Sequence, residues 1–365
     1  MKNTAVPSFY RNKPIFGFDI GSDTIKVAQL SADSTEVVSK NSKPKLIGYG
    51  YTRFDNSAID DGVIIKPEII AETAKKMLDN GISGRITTNR VAMAIPANKT
   101  ISRSIKIPKL SNKQIQEAVE LEAEQYIPTG TSELYIDYEI VRETLSNELE
   151  INLIAVPKKI VDSYMQVAKM LNLEVILIEP TLNSASRLFS IDKHSKSTAI
   201  LIDFGALSSD ISIFDRHVIV SGTVEGGGVN FTDLIRRVLK VPVEEAEIAK
   251  TRYGISPSNK QQEIKKAIEP ILQKIIQEIK RMIRYYEERY GSDKPIKQIV
   301  TLGGGANMPG LSEYLTDNMR MAVRHGDPWQ FIDTKKIKAP KTAEKSMYSN
   351  ALGLALVDSK GIYKS

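Results

Sequence analysis

Residues 16–30, FGFDIGSDTIKVAQL, have the form of a β-hairpin: apolar residues run into Asp-x-Gly, three turn-forming residues follow, and apolar residues resume in alternation with polar ones. The same form returns at residues 200–214, ILIDFGALSSDISIF. In each copy the glycine, Gly21 or Gly205, lets the backbone turn tightly and come close to a ligand. Asp19 and Asp203 therefore fall at equivalent hairpin mouths. If the copies face each other, they form a cleft with backbone amides on both walls and one carboxylate from each side. Phosphates suit the amides, and a hydrated Mg2+ suits the carboxylates. A third element, residues 301–311, TLGGGANMPGL, reads as a strand end, three glycines (Gly303, Gly304 and Gly305) and a helix start near Pro309. Those glycines lack G-x-G-x-x-G spacing, and no G-x-x-x-x-G-K-[ST] string occurs, which argues against Rossmann and Walker nucleotide sites.

Two phosphate loops followed by a glycine-rich turn, in that order, resemble the actin-like ATPase superfamily. The fold this implies is α/β, with two ribonuclease-H-like halves around a nucleotide cleft. At 365 residues the chain exceeds what one hydrophobic core usually serves, so at least two domains are expected. Lys and Arg number 50 against 44 Asp and Glu, a net +6. The charges are scattered, as on a solvated surface, and the excess suits weak attraction to an anionic membrane face better than a specific nucleic acid. With no cysteine, disulfides and thiolate metal sites are excluded. His194, His217 and His325 lack ligand spacing. The start of the chain has no apolar signal core, and no apolar run reaches the ~18–20 residues of a spanning helix. A cytoplasmic protein that meets a membrane through a partner is expected.

Along the chain, residues 45–54 read as a third strand, 67–78 as a helix closed by Asn80 and Gly81, and 91–95 as a buried strand. Then 101–107 alternates as a strand, and Ser111-x-x-Gln114 opens a helix that stops at Pro128. Residues 135–141 and 148–156 read as a hairpin, 158–171 as a helix and 175–178 as a strand. The run β-α-β-β-α-β is expected to be a small domain inserted into the first. Here the resemblance narrows. The string IPANKTISRSIKIPKLSNKQIQEAVELEAEQYIP, then LKVPVEEAEIAKTRYGI at 239–255 and EIKRMIRYYEERY at 278–290, are similar to the PilM family, FtsA-like actin homologues of type IV pilus assembly. That resemblance implies a first domain of 1–97 with 179–195 and 345–365, an FtsA-type insertion at 98–178, and a second half at 196–344 with a subdomain at about 226–294. The stripe of Ile264, Ile268, Ile271, Ile275, Ile279, Met282, Tyr286 and Tyr290 makes a long amphipathic helix in which Pro270 should kink or restart the helix. Residues 348–357 look like the helix that returns to the first domain.

For the site, the resemblance implies ATP and Mg2+, with Asp19 and Asp203 holding the metal largely through water. Gly21, Ser22, Lys26, Gly205 and Ser208 would surround the phosphates. Gly227 and Gly228, opening a helix, would offer free amides to an anion. Ala206, Leu207 and Asp23 depart from the superfamily pattern, so any hydrolysis should be slow. Glu179, before Pro180, either positions the attacking water or is a helix N-terminal acid. Glu278 and Arg281 either meet ribose and adenine or form an exposed i, i+3 pair. Gly303, Gly304 and Gly305 would lie against adenine. The implied function is a cytoplasmic ATP-binding scaffold, peripheral to the inner membrane, that captures the N-terminal tail of a PilN-like membrane protein. The contact is expected near 101–107 and the helix ending at Tyr126. Pilus motor ATPases and self-assembly are further expected partners. The alternatives are a small-molecule kinase of the same superfamily and an FtsA- or MreB-like division or shape filament protein.

Overall fold

A computed structural model describes residues 13–31, 42–127, 130–144, 147–191, 198–215, 217–291 and 295–357. The expected helix stop at Pro128 and the segments 1–12, 192–195 and 358–365 of the first domain lie outside them. The opening hairpin forms as read: β1 (Phe16–Ile20) and β2 (Thr24–Leu30) pair antiparallel, and β3 (Leu46–Arg53) adds to β2. Helix α1 (Pro67–Asn80), with proline at its start and Gly81 after it, leads to β4 (Arg90–Ile95), which runs parallel to β1. Phe16, Phe18, Ile20, Ile70, Ala74 and Met93 form the core on one face of this sheet.

The insertion follows β4. It comprises β5 (Ile101–Pro108), α2 (Asn112–Tyr126) with its Ser111–Gln114 capping box, β6 (Leu134–Glu143) and β7 (Glu148–Pro157). Its three strands make a separate sheet in the order β5-β7-β6, with its own core of Ile105, Ile107, Ile115, Val119, Ile151 and Leu153. The two further elements expected in this domain belong elsewhere. Helix α3 (Lys158–Met170) buries Ile160, Tyr164 and Val167 in the first core, and β8 (Glu174–Pro180) pairs parallel with β4. The separate sheet thus ends at Pro157 rather than near 178. The apolar faces of α3 and β8 complete the first half, which would otherwise expose β4.

Helix α4 (Thr181–Ser190) crosses to the second half. There β9 (Ala199–Phe204), β10 (Ser208–Asp215) and β11 (His217–Glu225) form an antiparallel meander, followed by α5 (Gly228–Leu239), α6 (Val243–Ile248), α7 (Gln261–Tyr290), β12 (Gln298–Leu302), α8 (Leu311–Met319) and β13 (Ala322–His325). The order β11-β10-β9-β12-β13 repeats β3-β2-β1-β4-β8 of the first half, with the same parallel and antiparallel pairings. Pro270 does not divide α7. It lies inside one continuous helix, because the buried stripe from Ile264 and Ile268 through Leu272 and Ile275 to Tyr286 packs on both sides of it. The helix expected near Pro309 starts at Leu311, after a short 3-10 turn at Gly304–Asn307 and Gly310 in the left-handed region.

The return helix α9 (Ser349–Ala355) is buried along its whole length. Together with α4 it fills the space between the sheets: Ala28, Leu30, Ala185, Leu188 and Leu352 share one apolar cluster with Leu201, Phe214, Val300 and Leu302. The insertion also touches the second half. Glu150 on β7, 3% exposed, accepts from Tyr290 Oη (3.1 Å) and lies 3.5 Å from Arg289, which also donates to Ser104 on β5 (2.9 Å).

Candidate functional site

Both hairpin mouths are closed by the same bond. Gly21 N donates to Thr24 O at 2.8 Å, and Gly205 N donates to Ser208 O at 2.9 Å. Those glycine amides are thus spent on the turn, and the tip residues, Ser22 and Asp23 in one and Ala206 and Leu207 in the other, present the loop to the cleft. On the first hairpin Asp19, 2% exposed, receives a hydrogen bond from Lys26 Nζ at 3.0 Å; the two residues are cross-strand partners. On the second, Asp203 is the cross-strand partner of another carboxylate, Asp210. Burial pushes the Asp203 carboxyl up to about 6, with the charge of Asp19 adding and Lys26 and Asn350 opposing. Burial also pushes Asp210 up to about 7, aided by Asp203, although Thr223 Oγ1 donates to it at 2.6 Å. The charge of Asp19 thus reaches Asp203 on the other hairpin.

The glycines do more packing than cradling. Gly228 N donates to Gly205 O at 2.9 Å, and Gly227 N donates to the Asn230 side chain at 3.0 Å, so the free amides expected at the start of α5 are already used. A Cβ at Gly227 would overlap Gly205 O; close backbone approach explains the glycine. Gly303, at φ 77°, leaves no room for a Cβ beside Asp203 Oδ1, and Gly305 is pressed on Phe204. Gly304, by contrast, faces open space. The turn is stitched to the first half: Ser346 Oγ donates to Gly303 O (2.8 Å), Asn307 Nδ2 to Ser346 Oγ (3.0 Å), and Asn350 Nδ2 on α9 to Asp203 Oδ2 (3.3 Å).

Three expectations about side chains change. Glu179, 8% exposed, is held by Arg187 through two 2.6 Å bonds, and Arg187 also donates to Gly353 O at 2.9 Å. This carboxylate, through Arg187, ties β8 to α4 and α9. Glu278 and Arg281 are bonded to each other on α7 (Arg281 Nε to Glu278, 2.9 Å). They line a cavity of about 530 Å³ with Thr223, Glu225, Lys274 and Arg284 that shares no residue with the glycine turns. Finally, β5, expected to form a partner groove, is bonded at Ser104 to Arg289 of the second half.

Sequence reasoning missed Asp210, Glu247 and Lys250. Lys250 Nζ, nearly buried, bonds Gly228 O (2.9 Å), Thr232 Oγ1 (2.8 Å) and Glu247 (2.7 Å), which brings an acid–base pair to the glycine loop. Burial raises the Glu247 carboxyl, but the bonds from Lys250 and Thr232 outweigh it and hold the group below its ordinary value, with Arg53 of β3 contributing from the other half. Residues 249–253 form a π-helical turn, a distortion that favours functional sites. The Glu-x-x-Lys spacing was the available signal.

Two sheets of one strand order, facing each other over two Asp-x-Gly hairpins and a triple-glycine turn, define a protein of the actin-like ATPase fold. MreB 5 of Spiroplasma citri bound to AMPPNP shares that fold at TM-score 0.54 and 13% identity, over 96% of each chain. The ethanolamine utilization protein EutJ from Carboxydothermus hydrogenoformans does so at TM-score 0.55 and 15% identity, over 97% of this chain and 91% of its own. A structure described as a PilM-PilN type IV pilus biogenesis complex superposes at TM-score 0.79 with 22% identity, over 96% of this chain and 99% of that one. The family model for type IV pilus assembly protein PilM matches residues 17–359, and the chain belongs to that family. Among the described residues no helix is long and apolar enough to cross a membrane.

Proposed function

We propose that this protein is a cytoplasmic, nucleotide-gated scaffold of a type IV pilus assembly platform. ATP with Mg2+ would enter the cleft, and the tail of a PilN-like membrane protein would dock beside the insertion. The observation that carries the reading is the pairing of Asp19 and Asp203 at identically closed hairpins, within a chain that matches the PilM family over nearly its whole length. The residues fit the ligand. Asp203 and Asp210 are buried acids whose charge a cation would stabilise, and Gly304 leaves space for a base. When bound, Mg2+ would neutralise phosphate charge. Lys26 would turn from Asp19 toward the phosphates, and Lys250 with Glu247 would face the nucleoside. With Glu179 tied to Arg187, the chain's own residues favour binding over turnover, and the angle between the halves would carry the signal.

Support for the tail site comes from where the insertion meets the first half. Tyr135 Oη donates to Asp162 on α3 at 3.0 Å, and Lys158 Nζ donates to Ser132 O at 2.6 Å. Beside these contacts Ile65, Tyr135 and Met165 stay exposed, apolar surface of the kind an extended peptide covers. Calorimetry with synthetic tail peptides tests this, using the intact chain and a version in which residues 98–157 are replaced by a short linker; α3 and β8 must stay because they belong to the first sheet. Binding to the intact chain and its loss in the deletion are expected. No binding to the intact chain, or equal binding to both, overturns the docking site.

A further inference from the structure

Asn350 and Ser349 are the polar residues of a buried helix, SNALGLA. Asn350 is 9% exposed, and its Nδ2 donates to Asp203 Oδ2 at 3.3 Å. Its Oδ1 is fully buried and has no partner. The neighbouring polar groups are satisfied: Ser349 Oγ donates to Ser346 O at 2.7 Å, and Ser346 Oγ donates to Gly303 O. Among the described residues several buried side-chain atoms lack a partner, but Asn350 Oδ1 is the one whose own side chain is bonded to a carboxylate of the cleft. Turning the amide over would not cure the defect, because it would set Oδ1 against a carboxylate oxygen, two acceptors face to face. Buried acceptors are rarely left alone, so this one marks a donor that arrives with a ligand.

The chemistry of that donor is narrow. It must carry a hydrogen-bonding proton, lie beside Asp203 and tolerate Asp19 across the gap. A phosphate oxygen is an acceptor and would be repelled. A water in the shell of a divalent cation meets all three requirements, since the cation polarises its O–H bonds and both carboxylates draw it in. We propose that Asn350 is a positioning residue of a divalent-cation site: its Nδ2 fixes Asp203, and its Oδ1, closed to water in the unligated chain and uncovered as the halves part, accepts a hydrogen bond from a water of the cation's shell. Because α9 packs with the first half and Asp203 belongs to the second, the ion is then gripped from both halves. This rests on reading the cleft as a Mg2+–nucleotide site.

Calorimetric titration of the full chain with ATP, in Mg2+ and in EDTA, tests the assignment in wild type, Asn350→Leu and Asn350→Ala. The ratio of the two affinities measures what the ion adds. In both variants that ratio should fall about tenfold, the loss of one charge-assisted hydrogen bond, while affinity in EDTA changes less than twofold. Both unligated variants lose the Nδ2 bond to Asp203 and should melt somewhat lower, so each is titrated well below its own melting temperature. An unchanged ratio, or a parallel fall in both buffers, overturns the proposal. Wild type binding ATP equally in both buffers sinks the cation site alone; wild type binding no ATP at all sinks the nucleotide reading with it.

Discussion

The two Asp-x-Gly hairpins share a backbone and differ in charge. Seven residues after the aspartate the first places Lys26 and the second Asp210, and the register puts each directly across from its aspartate. One hairpin is therefore electrostatically closed by its own lysine, whereas the other holds two buried acids that no lysine in its own strands answers. The lesson is that a duplicated fold need not duplicate its electrostatics. The first hairpin carries its counter-ion in the sequence, and the second pairs its aspartate with another acid.

The sharpest way to break this contrast is to remove the internal counter-ion. Lys26→Met leaves Asp19 buried and unpaired, which should cost about 3–5 kcal/mol of stability in urea denaturation. Adding Asp19→Asn should recover most of the loss. A cost below about 1 kcal/mol would mean that the pair is solvated, and the contrast would fail.

The second hairpin should show the opposite response, through pH. Asp203 and Asp210 titrate in the folded chain near 6 and 7, above their unfolded value of about 3.9. Between those values the folded state binds more protons than the unfolded state. Their contribution is therefore complete below about pH 4 and is lost as pH rises through 6 and 7, by up to about 1.4 kcal/mol per pH unit for each group. Denaturation of the unligated chain from pH 4.5 to 8 should show this fall relative to an Asp203→Asn, Asp210→Asn double variant. Parallel curves for the two proteins would refute it.

The smallest effect should come from α7. Glu278→Ala and Arg281→Ala break a pair between an exposed Arg281 and a half-buried Glu278, and should each change stability by no more than about 1 kcal/mol. Any ATP affinity should shift less than twofold. A tenfold loss in the same calorimetry would return these residues to the nucleotide site and displace Glu247 and Lys250 from it.

How much of this was legible depends on what a string can encode. The hairpins and the triple-glycine turn were readable because period-two alternation and Asp-x-Gly are local. The charge contrast was also present, seven residues after each aspartate, but counting across a hairpin requires the register. The end of the insertion was not readable. A β-α-β-β-α-β run has the same letters whether its last helix and strand close their own sheet or, as α3 and β8 do, complete another. The acid–base pairs show the same limit. Glu247 with Lys250 and Glu278 with Arg281 are both i, i+3 spacings, and only burial against the Gly228 loop separates the first from a surface pair. Gly227 and Gly228 looked like an anion cradle because a glycine signals close approach without naming what approaches.

The return helix sets an order on how the protein can be made. Gly17 in β1 has no room for a side chain because the backbone of α9 at Ala351 lies against it, and Gly353 of α9 presses in turn on the Ser184 backbone of α4. The first strand of the described residues is therefore finished by a helix synthesised more than three hundred residues later. Until then the N-terminal sheet keeps one face uncovered while the insertion and the second half emerge. A chain cut before residue 349 should lose its beginning before its end: protease nicking would start around β1 and β4, far along the sequence from the missing segment.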